Sequence, residues 1–205
     1  MAGFTVKTEA VVLRSIRYGE ADRILHLYSP TLGRFGAIAK GARKPKSRFG
    51  GRLEPFFRLD LILHQGRSDL MTVTNVATLD GYPRLRSDGA AIGCGARACD
   101  AVLRLLDSTE PNLPAYNLLC RYLALLDEAG QPRSISLEVA LSFRLKLALV
   151  AGFAPELASC ANCGEAEHLA GFSGASGGVV CASCEAGGFP LVEEAHRFMV
   201  EALAK

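Results

Sequence analysis

Hydrophobic and polar residues alternate along the first eighty positions in the manner of short β-strands. Within RLDLILH, Leu59, Leu61 and Leu63 recur with a period of two, which indicates a half-buried strand. Four more runs are rich in β-branched or apolar residues and are bounded by turn residues. The five predicted strands cover residues 5–15, 23–29, 34–40, 58–64 and 69–79. Because closure removes exposed strand edges, five short strands predict a small OB-type β-barrel.

The pattern changes to a helical period after Tyr82 and Pro83. It predicts a helix over about 95–107, with an earlier start left open, a second that starts near Pro114, and a third over about 135–151 that Gly152 ends. The breaker segments between them are 108–114 and 128–134. Amphipathic spacing predicts the buried positions. They are Cys99, Val102, Leu103 and Leu106 in the first helix, Leu118, Leu119, Tyr122, Leu123 and Leu126 in the second, and Leu137, Leu141, Leu145 and Leu149 in the third.

Helical periodicity returns over 192–205, with Val192, Ala195, Met199 and Leu203 on one side. No cap follows, so we expect either a natural chain that extends beyond Lys205 or a last helix that frays. The predicted fold class is an α+β multidomain protein. Its predicted parts are a barrel domain (1–80), a helical domain (81–154), a cysteine-bearing insertion (155–190) and an incomplete helix that returns to the helical domain (191–205).

Four of the seven cysteines form two CxxC pairs near the C-terminus. Cys160 and Cys163 are followed, after seventeen residues, by Cys181 and Cys184. This spacing predicts a tetrahedral four-sulfur zinc site, and Gly164 suits the tight turn of its first knuckle. The surrounding segment has few large apolar residues, so we expect the metal to stabilise it. The other cysteines, in apolar helical surroundings, are expected to be buried and inert. They are Cys94, Cys99 and Cys120.

Catalytic constellations are not evident in the sequence. Four thiolates leave no open metal position for water, and His168 is not expected to replace one of them. A redox CxxC would lie in a thioredoxin-like unit, which nothing around these pairs resembles. The remaining histidines are scattered, and no GxxxxGK[ST] phosphate loop occurs. We therefore expect a protein that is not an enzyme.

Charge is distributed unevenly along the 205 residues. Through residue 60 the chain carries twelve Lys/Arg and five Asp/Glu, whereas the rest carries eleven and sixteen. The basic front part predicts a polyanionic partner. The N-terminal residues lack the apolar run of a signal peptide, and no window is apolar enough to cross a bilayer. We expect a cytoplasmic protein without membrane contact.

The basic residues concentrate in KGARKPKSRFGGR, residues 40–52, which has no acidic residue. Its glycines and proline predict an irregular, adaptable loop, and its charge suits either phosphate binding or simple solvation. The candidate DNA contacts in the loop are Lys40, Arg43, Lys44, Lys46, Arg48 and Arg52. Arginines elsewhere in the barrel could extend the same positive field. They are Arg14, Arg17, Arg23 and Arg34. The nearby Phe35, Phe49, Phe56 and Phe57 are candidates for base stacking, with core packing an equal alternative.

At these residues the sequence resembles a known family. The run TEAVVLRSIRYGEADRILHLYSPTLGRFGAIAKGARKPKSR closely resembles the N-terminal domain of RecO, the bacterial recombination mediator, and GFAPELASCANCG resembles the start of that family's zinc motif. The resemblance spans essentially the whole chain. It implies an OB barrel, a helical domain and a zinc-bearing insertion, in agreement with the pattern above.

The resemblance also implies a function. RecO proteins bind single- and double-stranded DNA, anneal complementary strands and, with RecR, help to load RecA onto DNA coated with single-stranded-DNA-binding protein (SSB), in the bacterial cytoplasm at the nucleoid. The family's basic motif falls on Lys40, Arg43, Lys44 and Arg48. The family binds the acidic C-terminal tail of SSB through its helical domain, for which the candidate region here lies around Arg121, Arg144 and Lys146. Ordinary helix packing with solvated charges is the favoured alternative for these three residues.

Two other classes stay open at this point. One is a zinc-stabilised interaction module whose basic loop binds an acidic protein. The other is a zinc enzyme such as a deaminase or nuclease, against which the four-thiolate set argues, since those enzymes need an open metal position and a placed glutamate.

Overall fold

The computed structural model describes residues 3–106, 109–128, 137–184 and 188–204. Its contacts divide the chain into two compact units, Met1–Ser136 and Leu137–Lys205. The four predicted domains are a finer division of the chain, and their boundaries stay a prediction.

The first unit begins with a closed five-stranded barrel. Its strands are β1 (Phe4–Tyr18), β2 (Asp22–Ser29), β3 (Gly33–Ala39), β4 (Arg58–Gln65) and β5 (Met71–Asp80), in the spatial order β1-β2-β3-β5-β4. The long β1 closes the barrel because its first half pairs with β4 and its second half with β2. All pairs are antiparallel except β3 with β5. The predicted barrel is confirmed.

Alternation along the strands builds the barrel core. Leu59, Leu61 and Leu63 of β4 point inward and are fully buried, as their period of two predicts. Leu25 and Leu27 of β2 meet them in the same core. A bulge between Val12 and Arg14 bends β1 as it passes from one partner strand to the other. The barrel is therefore a packed core whose outer face is free to carry other elements.

Two helices follow the barrel in the same unit. A 3₁₀ turn at Leu85–Ser87 leads into α1 (Gly89–Leu105) and then α2 (Leu113–Glu128). Helix α1 begins six residues before the start that apolar spacing predicted, because Asp88 caps it by accepting a hydrogen bond from the Ala91 N–H at 2.7 Å. The α2 positions predicted to be buried are buried, except Leu118, which is half-buried.

The second unit combines two helices with a small sheet. Helix α3 (Leu137–Val150) is followed by β6 (Leu169–Ser173), β7 (Gly178–Cys181), β8 (Phe189–Pro190) and α4 (Glu193–Ala204). The three strands form a sheet in the order β7-β6-β8, which the sequence did not predict. Gly152 ends α3 in the left-handed conformation, as predicted, and the Phe153 N–H donates back to the Ala148 carbonyl.

The predicted buried face of α3 is wrong. Leu137 and Leu149 are 70% and 41% exposed, and the buried residues are Phe143 and Leu147. Apolar residues occur all around LEVALSFRLKLALV, so periodicity alone does not select the face that neighbouring elements cover. In α4 the predicted side is also only partly correct, because Val192 lies before the helix and is exposed whereas Ala202 is buried.

Some predictions fall outside the described residues. These are the end of the first predicted helix at Asp107, Ser108 in the following breaker, most of the 128–134 breaker, the start of the third helix at Ile135, and Lys205. Among the helices that are described, none has the length and apolar character needed to span a membrane.

Candidate nucleic-acid interface and metal centre

The basic loop, residues 40–52, connects β3 to β4 and is fixed to the barrel. Its Phe49 side chain is 1% exposed and, with Ala42, belongs to the barrel core. The Arg43 N–H donates to the Ala21 carbonyl at 2.8 Å, and the Gly41 N–H donates to the Asp22 carboxylate at 2.7 Å. The loop is irregular, as predicted, but its backbone is ordered by buried side chains and by the β1–β2 turn.

All six cationic side chains of this loop are exposed, and none forms a salt bridge with a described residue. Arg43 Nη1 donates to the Gly19 carbonyl at 3.3 Å, and the Arg48 guanidinium lies 4.9 Å from the centre of the Phe49 ring. The nearest acidic residue after the loop, Glu54, is paired with Arg23 at 2.6 Å. The loop therefore presents positive charge that carboxylates of the described chain leave unneutralised.

The other predicted contacts lie elsewhere on the barrel. Arg17 is exposed near the end of β1, and Arg14, also exposed, forms a salt bridge with Asp100 of α1 at 3.4 Å. Arg34 is half-buried, and its Nη1 donates to the Leu103 carbonyl at 2.9 Å, at the C-terminal end of α1. Arg14 and Arg34 thus join α1 to the barrel, which the sequence could not indicate because the contact is formed between distant segments.

His26 lies beside these two arginines. Burial first, and then the charges of Arg14 and Arg34, lower the pKa of His26 below its usual value of 6.5. The strand register confirms the placement, because Arg14 pairs directly with His26 across β1 and β2.

The phenylalanines do not serve as the predicted stacking platform. Phe49, Phe56 and Phe57 are buried, and Phe35 packs against the barrel core, so the alternative of core packing is correct for all four. The exposed tyrosine of the barrel is Tyr18, which the sequence analysis missed because it predicted that the first strand ends at residue 15.

The four cysteines of the two CxxC pairs come together in the second unit. Their Sγ atoms all lie within 4.8 Å of one another, and those of Cys163 and Cys181 are 3.7 Å apart. Sulfurs bound to one tetrahedral zinc at 2.3 Å would be about 3.8 Å apart, so this donor set fits such an ion. His168 is exposed and does not belong to the cluster.

Local backbone geometry builds both knuckles. In the first, the Gly164 N–H donates to the Cys160 carbonyl at 2.8 Å, and Gly164 has a φ of +80°, which glycine adopts readily. The second knuckle follows β7 directly, where the Cys184 N–H donates to the Cys181 carbonyl. Backbone hydrogen bonds, the first of them from Cys181, lower the pKa of Cys160 to about 6. A side-chain hydrogen bond with Cys163 raises the pKa of Cys184 to about 12. Zinc binds cysteine sulfurs as thiolates, so binding of a metal ion to this cluster would release protons.

The remaining three cysteines lie in α1 and α2 of the first unit. Cys99 is buried, which raises its pKa to about 12, and burial also raises the pKa of Cys120 to about 11. Cys94 is half-buried and accepts a hydrogen bond from Arg97. Burial is thus as predicted for Cys99 and only partial for the other two.

An apolar groove of about 380 Å³ lies between α3, α4 and the small sheet of the second unit. It is lined by residues that include Leu141, Leu145, Phe172, Phe198 and Met199, with Arg144 at its side. Lys146 is not among the lining residues, and Arg121 belongs to the other unit. The groove combines an apolar floor with one cationic group.

Two family models match this chain. One, described as "Recombination protein O N terminal", covers residues 1–82, and the other, "Recombination protein O C terminal", covers residues 86–203. These matches correspond to the barrel and to the rest of the chain, respectively.

Curated relatives extend over most of the sequence. The "DNA repair protein RecO" of Rubrobacter xylanophilus is 39% identical over 180 residues, which is 87% of this chain and 71% of the relative. The protein of the same name from Geobacter sulfurreducens is 38% identical over 198 residues, 95% of this chain and 79% of the relative. The protein of the same name from Cutibacterium acnes is 37% identical over 193 residues, which is 93% of this chain and 78% of the relative. The chain therefore belongs to the RecO family of DNA repair and recombination proteins.

Proposed function

We propose that this protein binds single- and double-stranded DNA without reading its sequence and anneals complementary strands in recombinational repair. It acts with RecR to help load RecA onto single-stranded DNA coated by SSB, without catalysing a reaction itself. The observation that carries the proposal is the basic loop, in which six exposed cations are held on one ordered segment of an OB-type barrel and lack carboxylate partners among the described residues.

Annealing requires that two polyanionic strands approach each other. Lys and Arg side chains neutralise phosphates and release condensed counterions, and neither step depends on the bases. Because the backbone of the loop is held by Phe49, Ala42 and two hydrogen bonds to the β1–β2 turn, its cations are presented together. The proposed DNA contacts are Lys40, Arg43, Lys44, Lys46, Arg48 and Arg52 of the basic loop. Arg14, Arg17 and Arg34, which lie elsewhere on the barrel, are the weaker candidates.

Neutralising the loop tests this proposal. The variant Lys40→Ala/Arg43→Ala/Lys44→Ala/Arg48→Ala should bind both DNA forms at least about tenfold more weakly, because each lost phosphate contact removes counterion release. Fluorescence anisotropy with labelled oligonucleotides measures the affinity. The matched control removes four exposed arginines from the helices and the segment before them. It is Arg84→Ala/Arg97→Ala/Arg104→Ala/Arg121→Ala.

An equal loss in both variants would show that only net charge matters, which contradicts a defined interface. Unchanged DNA binding by the loop variant would favour the interaction-module alternative, in which the loop binds an acidic protein.

We further propose that the cysteine cluster holds one structural zinc ion through Cys160, Cys163, Cys181 and Cys184. The all-sulfur donor set and the spacing of its Sγ atoms support zinc, and four thiolates would leave no position for a reacting water. When bound, the ion would cross-link the loop before β6 to the end of β7.

The apolar groove of the second unit is the proposed receptor for the acidic tail of SSB. Its apolar lining suits hydrophobic side chains of the tail, and Arg144 suits a carboxylate. Arg144→Ala should weaken binding of a peptide that copies this tail by about tenfold, whereas Arg197→Ala, an exposed arginine of α4, should have little effect. Equal effects of the two substitutions in calorimetry would place the tail elsewhere.

A further inference from the structure

Tyr18 ends β1 with its side chain in solvent. It is 54% exposed, whereas the other four tyrosines of the chain are buried. It pairs with Asp22 at the start of β2, and the adjacent Gly19 carbonyl accepts the hydrogen bond from Arg43. An exposed aromatic ring therefore lies one residue from an anchoring point of the basic loop.

The strand register extends this surface beyond Tyr18. Residues that pair directly across antiparallel strands share a face, and so do alternate residues of one strand. Leu25 points into the core, so the preceding Ile24 and the alternate residue Asp22 point outward. Their partners on β1, Ile16 and Tyr18, share this outer face. Ile38 of β3 continues the row because it pairs with Ile24. Ile16 is 41% exposed, and Ile24 and Ile38 are half-buried.

Described residues of the first unit contact the far end of this outer face. There, Tyr28 is buried with its hydroxyl on the Asn112 carbonyl, and Arg14 and Arg34 contact α1. At the near end, Tyr18 and Ile16 are exposed, and the loop that begins at Lys40 follows the Ile38 end of β3. The outer face thus has a covered half and a free apolar half that borders the cationic loop.

We propose that Tyr18 and Ile16 form a stacking platform for the bases of single-stranded DNA whose phosphates are bound by the basic loop. The proposal rests on the proposed function, since it adds base contacts to the same interface. Charge complementarity identifies the occupant, because the free apolar patch adjoins Arg43 and Lys40, and single-stranded DNA combines flat apolar bases with phosphates. Bases within a duplex are already stacked, so the platform favours single strands.

Two substitutions of Tyr18 separate stacking from other effects. Tyr18→Ala should weaken binding of an oligo(dT) strand by about tenfold and change duplex affinity by less than twofold. The salt dependence should stay as in the wild type because no charge is removed. Tyr18→Phe, which keeps the ring, should bind as the wild type does. Phe4→Ala removes an exposed aromatic residue at the other end of β1 and is the matched control.

Intrinsic fluorescence gives an independent measurement. The chain contains no tryptophan, and Tyr18 is its exposed tyrosine, so oligo(dT) should quench part of the tyrosine emission. Tyr18→Phe should abolish that quenching and retain affinity.

Equal losses of affinity for single strands and duplexes in Tyr18→Ala, or quenching that persists in Tyr18→Phe, would overturn the platform. If Tyr18→Ala has no effect while loop neutralisation weakens both DNA forms, only the platform fails. If loop neutralisation also has no effect, the proposed function fails with it.

Discussion

Arg58 connects three strands of the barrel with a helix. Its Nη2 donates to Glu9 of β1 at 2.7 Å, its Nη1 to Asp80 of β5 at 3.3 Å, and its Nε to the Tyr116 hydroxyl of α2 at 3.2 Å. Such charge-assisted, multidentate hydrogen bonds are stronger than neutral ones and also fix the relative positions of the groups that they join. Arg58 therefore differs from the cations of the basic loop, which are exposed and form no salt bridge with a described residue.

The first residue-scale prediction concerns this junction. Arg58→Ala should lower the free energy of unfolding by about 2 kcal/mol, because it removes three hydrogen bonds and leaves the half-buried Glu9 carboxylate unpaired. Lys7→Ala, which breaks the largely exposed ion pair with Asp60, should cost less than about 1 kcal/mol. Urea unfolding followed by circular dichroism measures both. Similar losses in the two variants would mean that the Arg58 junction does not hold α2 to the barrel.

The second residue-scale prediction concerns His26. Its pKa is lower in the folded protein than the usual 6.5, so the unfolded chain binds this proton more readily. Stability should then fall as the pH drops below about 6.5, by at most about 1.4 kcal/mol per pH unit from this group. In His26→Gln the decline between pH 7 and pH 5 should be shallower. If the pH dependence of stability is unchanged in His26→Gln, the folded and unfolded chains bind this proton equally. The control is His64→Gln, at an exposed position of β4.

Residue types and spacing predicted part of the site from sequence alone. The four cysteines could be predicted to form one cluster because CxxC spacing is a local pattern that is visible without knowledge of the fold. The roles of Arg14 and Arg34 could not, because their partners Asp100 and Leu103 lie about seventy to ninety residues away in sequence. Whether Arg14, Arg17 and Arg34 also contact DNA stays a prediction.

Among the elements, the barrel strands were the easiest to predict. Apolar residues that alternate with a period of two all lie on one face of a strand, so only that face can be buried. Strand β4 follows this pattern closely. Helix α3 was the opposite case, since leucines on several sides left the buried face to tertiary packing. The strands β6 and β7 were missed because they are short and contain Gly171 and Gly178, which weaken any strand pattern.

The element-scale prediction tests the metal centre. Cys160→Ser should reduce bound zinc from one equivalent to near zero and lower the melting temperature of the second unit, because the small sheet has few apolar residues to hold it. DNA affinity should change less than about twofold, since the proposed interface lies on the barrel. Cys94→Ser, a half-buried cysteine of α1 outside the cluster, is the control for loss of a thiol. Zinc retained at one equivalent, or DNA binding lost in a folded variant, would contradict this division of roles.

For the whole molecule, the distribution of charge matters more than its total. A net charge of +2 conceals the excess of cations in the first sixty residues. The structure concentrates the exposed part of that excess on the basic loop of one compact unit. The second unit presents an apolar groove and a cysteine cluster instead. This arrangement agrees with the proposed function, in which the basic loop binds DNA and the apolar groove binds a protein partner.

The central claim is that the basic loop promotes annealing by screening phosphates. The most direct test measures the annealing rate of complementary oligonucleotides across a salt series, with wild type, the loop-neutralised variant and the helical four-arginine control. For the wild type and the control, DNA affinity measured in the same buffers should fall with a log–log slope of roughly −3 to −5, for about four to six neutralised phosphates, and annealing should decline in parallel. The loop variant should anneal slowly at low salt and show a shallower slope. Wild-type annealing by the loop variant, or a rate that does not respond to salt, would contradict the claim.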